Sequence, residues 1–234
     1  MKKLLTLSLA ALMLVASLAF VAQPAQAQGA GLVSSILNKM DRNRRDLSSL
    51  RAALTMQKYN SQLRDTETTY GEMAYIAAKG KDANVRVDWV KPVRESLSVM
   101  NGEYTLYRPR LGQAIKGSAR GGDKKTKVNS VLNFAFSMTG AQAKSQFNVS
   151  YEGEGELYPG SPHVLWLKLT PRGGASYKEA EVWVTDDGMP IQARVTEKNN
   201  DATTVRLTNV QRNARVAPSD IEIPLPAGTK IVRG

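Results

Sequence analysis

Few residues in this chain could do covalent chemistry, and none of them is grouped for it. His163 is the only histidine and follows Pro162, so one chain can build neither a histidine-based nucleophilic triad nor a multi-histidine metal site. It reads as a solvated turn residue. Gly117 and Gly122 have the spacing of a phosphate loop, but Asp123 stands where the phosphate-binding lysine belongs, and no strand leads into a helix there. Glu152, Glu154 and Glu156 alternate with Gly153 and Gly155, which puts three carboxylates on one face of a strand. Such a row does not converge as a chelating Ca²⁺ loop does. Asn148-Val149-Ser150 is a glycosylation sequon that matters only in a eukaryotic secretory pathway. The chain has 0 Cys, which excludes disulfides, thiolate metal sites and the N-terminal lipid attachment of a bacterial lipoprotein. The expectation is a binding protein with no catalytic residue, metal or cofactor.

The elements that must position any site begin after an export signal, which the first 27 positions spell out. Lys2 and Lys3 precede the nearly unbroken apolar run Leu4 to Val21, and Ala25-Gln26-Ala27 is a small-x-small cleavage site before Gln28. Cleavage after Ala27 is expected to give an exported, soluble product; the alternative is an uncleaved anchor, since the apolar run approaches the ~20 residues that span a bilayer. The remaining residues, 28–234, suit one domain with a sizeable core. The formal charge is +11 at pH 7, and removal of Lys2 and Lys3 takes two of those charges. That balance suggests attraction to an anionic lipid surface or an acidic partner. Nucleic acid is not expected, because the basic clusters carry no interleaved aromatic stacking platform.

An amphipathic helix is predicted from about Leu32 to Leu47: Leu32, Val33, Ile36, Leu37, Met40 and Leu47 fall within an arc of about 140°. From Leu50 the apolar period changes to two, and turn signals recur at Asn101-Gly102, Pro159-Gly160, Gly173-Gly174 and Asp187-Gly188. Strands are predicted near 50–60, 66–78, 84–91, 95–100, 103–108, 111–117, 146–157, 163–170, 177–185, 190–198 and 202–212. With no βαβ rhythm, the fold class is mainly β (α+β), a strongly curved antiparallel sheet. A second helix is predicted over Val128 to Met138, whose apolar residues span an arc of about 200°. Phe134 and Phe136 point about 160° apart on it. It reads either as a buried core helix or as a lid with one flank on the sheet and the other over a cavity.

The order of these elements resembles the outer-membrane lipoprotein carrier protein family, the LolA-like proteins. Four stretches carry the resemblance: Val87-Asp88-Trp89 with Pro92; Met100 to Tyr104 with Leu106 and Tyr107; Leu169 to Arg172 with Val182 to Val184, Asp187-Gly188 and Ile191; and Ile223-Pro224, Pro226, Gly228 and Ile231. The resemblance implies an incomplete antiparallel β-barrel, an N-terminal helix and a lid helix over an apolar cavity. It implies a periplasmic carrier of acylated lipoproteins, loaded at an inner-membrane lipoprotein release complex and discharging to an outer-membrane acceptor. Lys79-Gly80-Lys81 stands where the family often has Arg-Pro, so no lid latch is assigned. The residues expected to line the lipid cavity are Leu54, Met56, Met73, Tyr75, Val85, Val87, Trp89, Leu97, Val99, Leu165 and Leu167 from the sheet, with Leu132, Phe134, Phe136 and Met138 from the helix. Periodicity alone does not separate such a lining from a packed core, since both demand an inward apolar face. The alternatives are a binding protein for another lipid and an enzyme or regulator on the same fold.

Overall fold

Alternation of apolar and polar residues at period two runs through most of the chain, and it builds one sheet. The computed structural model describes residues 26–77, 83–119 and 138–234. The predicted signal segment before Gln26, Lys79-Gly80-Lys81, and Leu132, Phe134 and Phe136 of the predicted lid helix lie outside the described residues. The strands are β1 (Ser49–Asn60), β2 (Asp65–Ile76), β3 (Asn84–Lys91), β4 (Glu95–Met100), β5 (Glu103–Arg108) and β6 (Gln113–Ser118). They continue with β7 (Phe147–Glu156), β8 (His163–Pro171), β9 (Tyr177–Thr185), β10 (Pro190–Glu197), β11 (Ala202–Arg212) and β12 (Lys230–Arg233). Their spatial order is β12-β6-β5-β4-β3-β2-β1-β11-β10-β9-β8-β7. The two end strands do not pair with each other, so the barrel is open, as the resemblance implies.

Among the described residues, ten of the eleven ladders are antiparallel, and β12 alone runs parallel to its neighbour β6. A hairpin cannot make that contact, so the chain after β11 crosses from one half of the sheet to the other. The short helix α3 (Pro218–Ile221) lies on this crossing. Ile221 is 0% exposed, Arg51 reaches Asp220 at 2.7 Å, and Arg86 donates to the Glu222 carbonyl at 2.7 Å. The strand predicted from Leu111 begins instead at Gln113, because Pro109–Leu111 forms a 3-10 turn closed by Gly112 at φ 55°.

Helix α1 (Gln26–Asp46) starts earlier than the predicted Leu32. Gly29 and Gly31 stand within it, at a propensity cost of about 1 kcal/mol each. Val33, Ile36, Leu37 and Met40 are buried in the main core cluster together with Leu50, Leu54, Val87 and Leu167. The helix packs on β7 and on the β9–β10 turn, where Gly188 (φ +92°) lies against the backbone of Lys39 and leaves no room for a Cβ. A further helix, α2 (Gly140–Gln146), rides on α1 and was not predicted. Thr139 and Gln142 close a reciprocal capping box. Gly140 donates its amide to the Asp41 carboxylate at 3.1 Å, close enough that a Cβ there would stand 2.9 Å from Asp41 Oδ2.

Candidate functional site: an apolar cavity on the concave face

Cross-strand register decides which side chains share the inner face. Ala52, Met73, Val87, Leu97, Leu106 and Ile115 form one row across β1 to β6. Leu54, Gly71, Trp89 and Glu95 form the next row. Leu50, Tyr75, Val85, Val99, Tyr104 and Gly117 form the row on the other side. Two glycines make room for aromatic rings here. A Cβ on Gly71 would stand 2.6 Å from the Asp88 carbonyl and 2.9 Å from Trp89 Cε3, so the indole lies over the bare backbone of β2. Likewise a Cβ on Gly117 would stand 2.8 Å from Tyr104 Cε1.

Over the β1–β6 half of this face lies a cavity of about 460 Å³. That size falls in the ~300–1,000 Å³ range of ligand pockets. Its floor is Met56, Trp89, Leu97, Tyr104, Leu106 and Ile115, and none of the described side chains of α1 borders it. Its rim is polar: Lys58, Glu67, Thr69, Glu95 and Arg108, with Pro92 and Val93. Lys58 and Glu67 are register partners, and Arg108 Nε lies 3.1 Å from Glu95. Rim charges of both signs are thus matched, and an apolar floor beneath a polar mouth suits an amphiphile whose tail goes in and whose head stays wet.

Of the predicted lining, the structure brings Met56, Trp89 and Leu97 to the cavity. Leu54, Met73, Tyr75, Val85, Val87, Leu165 and Leu167 are buried in the main core cluster, with Met138 packed against it. Val99 belongs with Leu97 and Tyr104 to a second small cluster. Burial pushes the Tyr75 hydroxyl above its ordinary pKa, with Arg44 opposing the shift. Tyr104, Leu106, Ile115, Pro92 and Val93 were not predicted as lining. Tyr104 and Leu106 were legible as the alternate residues of β5, whereas Ile115 adjoins Ala114 and so gives β6 no clear phase.

His163 and the glutamates Glu152, Glu154 and Glu156 are not among the residues that line the cavity, and Gly122 and Asp123 lie outside the described residues. His163 Nδ1 sits 3.1 Å from Asp186 on the surface. Glu152, Glu154 and Glu156 are exposed on the edge strand β7, each engaged separately by the Ser150 hydroxyl, the Tyr151 hydroxyl and the Gly160 amide. Among the described residues no group of three or more His, Cys, Asp or Glu side chains could hold a metal ion. No helix among them is long and apolar enough to cross a membrane.

Comparison with solved structures gives the same fold. An uncharacterised conserved protein from Thermus thermophilus superimposes with a TM-score of 0.54 at 15% identity, covering 86% of this chain and 98% of that one. MucB gives 0.58 at 15% identity over 86% of this chain and 66% of its own. LprF from Mycobacterium bovis gives 0.51 at 14% identity over 85% and 99%. None of the curated proteins compared matches this chain in sequence. The sequence profile of the family described as "Outer membrane lipoprotein carrier protein LolA" matches residues 45–222, a span from just before β1 through α3 that includes every lining residue of the cavity. With that match over most of its length, this chain belongs to the LolA family of outer membrane lipoprotein carrier proteins.

Proposed function

We propose that this protein is a periplasmic carrier that takes the acyl chains of lipoproteins from the inner membrane, shields them in the concave cavity and hands them to the outer membrane. The observation that carries the reading is the apolar floor of Met56, Trp89, Leu97, Leu106 and Ile115 beneath the polar rim, in a chain of the LolA family. A chain of ~15 methylenes costs about 0.8 kcal/mol each to expose to water, or roughly 12 kcal/mol. Unaided transfer is therefore slow, and a carrier must offset most of that cost while binding more weakly than the destination membrane. Export by cleavage after Ala27, loading at an inner-membrane release complex and delivery to an outer-membrane acceptor complete the cycle.

The test is a transfer assay with a fluorescent diacylated lipopeptide in donor vesicles and unlabelled acceptor vesicles separated from them. Accelerated transfer that depends on protein concentration supports the reading. Extraction of the protein purified from the periplasm, followed by mass spectrometry, separates it from the rivals. A free phospholipid or other lipid in place of an acylated peptide would make this a carrier of that lipid, and an unchanged transfer rate would favour a regulator.

A further inference from the structure

The strand order fixes which turns share an end of the sheet. In the antiparallel meander β1 to β6, the turns at 60–65, 91–95 and 108–113 stand together at one end, while the β4–β5 turn at Asn101-Gly102 stands at the other. The cavity rim, with Pro92, Val93, Glu95 and Arg108, belongs to the first end.

Those three turns carry large apolar side chains into solvent: Leu63 is 76% exposed, Leu111 66% and Val93 38%. Tyr59 and Tyr70, also exposed, stand behind the first tip on β1 and β2. Single exposed apolar residues on a surface need no explanation, but a cluster at one end does. The turns at the same end in the other half of the sheet, 172–176 and 198–201, expose no large apolar side chain. Among the described residues, the cluster at this end of the sheet is therefore confined to the mouth of the cavity.

Basic residues accompany it. Arg64, Lys91, Arg94 and Arg110 are exposed within the same turns, and Arg108 there is matched by Glu95. Asp65 is the remaining acid of the three turns. Leucine and valine at the tips, tyrosine a few residues behind and cations between them is the arrangement that seats a surface in the headgroup layer of an anionic bilayer.

We infer that the three hairpin tips around the cavity mouth dock this protein on an anionic lipid membrane, with Leu63, Val93 and Leu111 entering the interface and Arg64, Lys91, Arg94 and Arg110 meeting the headgroups. The inference rests on the carrier reading for what the contact serves, namely passage of an acyl chain between bilayer and cavity without crossing open water. The docking itself needs no cargo.

The test is co-sedimentation of the mature protein with phosphatidylglycerol-containing vesicles and with pure phosphatidylcholine vesicles, beside melting curves and uptake of a micellar diacylated peptide. Binding is expected to phosphatidylglycerol, falling as salt rises because exposed charges beyond ~8 Å are screened at physiological ionic strength. Leu63→Ser/Leu111→Ser is expected to bind those vesicles roughly tenfold or more weakly, with melting and micellar uptake unchanged. Arg64→Gln/Arg94→Gln/Arg110→Gln is expected to lose the preference for phosphatidylglycerol. Absence of vesicle binding by the unmodified protein overturns the inference, whether or not the peptide is taken up. Equal vesicle binding by the leucine variant also overturns it. Failure of peptide uptake with tip-dependent vesicle binding intact would leave the docking standing and remove the carrier reading.

Discussion

Replacing Leu106 with glutamate separates a cavity from a core on this one face of the sheet. Leu106 is partly exposed on β5, flanked across the ladder by Leu97 and Ile115, and it faces the ~460 Å³ space. A carboxylate there can stay hydrated in the empty protein, so the expected destabilisation is about 1 kcal/mol, or roughly 2–4 °C in Tm for a domain of this size. Binding is different. An acyl chain entering the cavity loses the leucine contact, worth about 1.5–3 kcal/mol when fully buried, and must also strip water from the charge. A loss of at least about 3 kcal/mol follows, which is on the order of 100-fold in Kd. Val87 lies in the same row two strands away but is 0% exposed, so Val87→Glu buries an unpaired charge and should cost more than about 4 kcal/mol. Thermal melts of both variants, run beside displacement of a fluorescent acylated peptide, read the two quantities. Equal collapse of both melts would refute the cavity as an open site, and unchanged binding by Leu106→Glu would move the acyl chain elsewhere.

Gly71→Val should destabilise by about 1–3 kcal/mol in urea melts, because its side chain collides with the Asp88 carbonyl and the Trp89 ring. Ile221→Ala, at a fully buried position, should cost about 2–4 kcal/mol. Asp220→Ala should cost less than about 1 kcal/mol, since its partner Arg51 and Asp220 itself are 44% and 40% exposed; equal losses would show that the ion pair and not Ile221 holds the crossing. Burial raises the pKa of Glu181, against the nearby Arg194. A raised folded pKa means the folded state holds the proton more tightly, so this contribution is present below the ordinary glutamate pKa and is lost as pH rises through the folded value. Relative to Glu181→Gln, the unmodified protein should therefore lose stability between acid and neutral pH, and urea melts of both across that window check it.

Strand positions were legible because a half-buried strand must alternate, and runs such as Val85, Val87 and Trp89 do so without interruption. The turns were legible where residue type is constrained: Asn101 and Gly102 take φ 56° and 82°, the left-handed pair a two-residue hairpin needs. The division of the inner face into core and cavity was not legible, because Val87 and Leu106 satisfy the same pattern. Helix α1 packs on β7 and the β9–β10 turn, and none of its described side chains lines the cavity; nothing in the spacing of its apolar residues names the strands it covers. Helix α2 was overlooked although Thr139 and Gln142 have capping-box spacing, since its interior of Gly140, Ala141, Lys144 and Ser145 has no apolar stripe. The parallel β12–β6 contact was likewise hidden, as pairing direction depends on a crossing of the sheet and not on local pattern.

The measurement that bears most directly on the cavity is photo-crosslinking of a diacylated peptide carrying a diazirine near the end of an acyl chain, followed by peptide mapping. Adducts on the segments that hold Trp89, Leu97, Leu106 and Ile115 are predicted, and they should disappear in competition with unlabelled acylated peptide but not with the deacylated one. Adducts confined to the outer face, such as the stacked pair Trp166 and Trp183, or adducts indifferent to competition, would contradict an acyl chain held in the concave cavity.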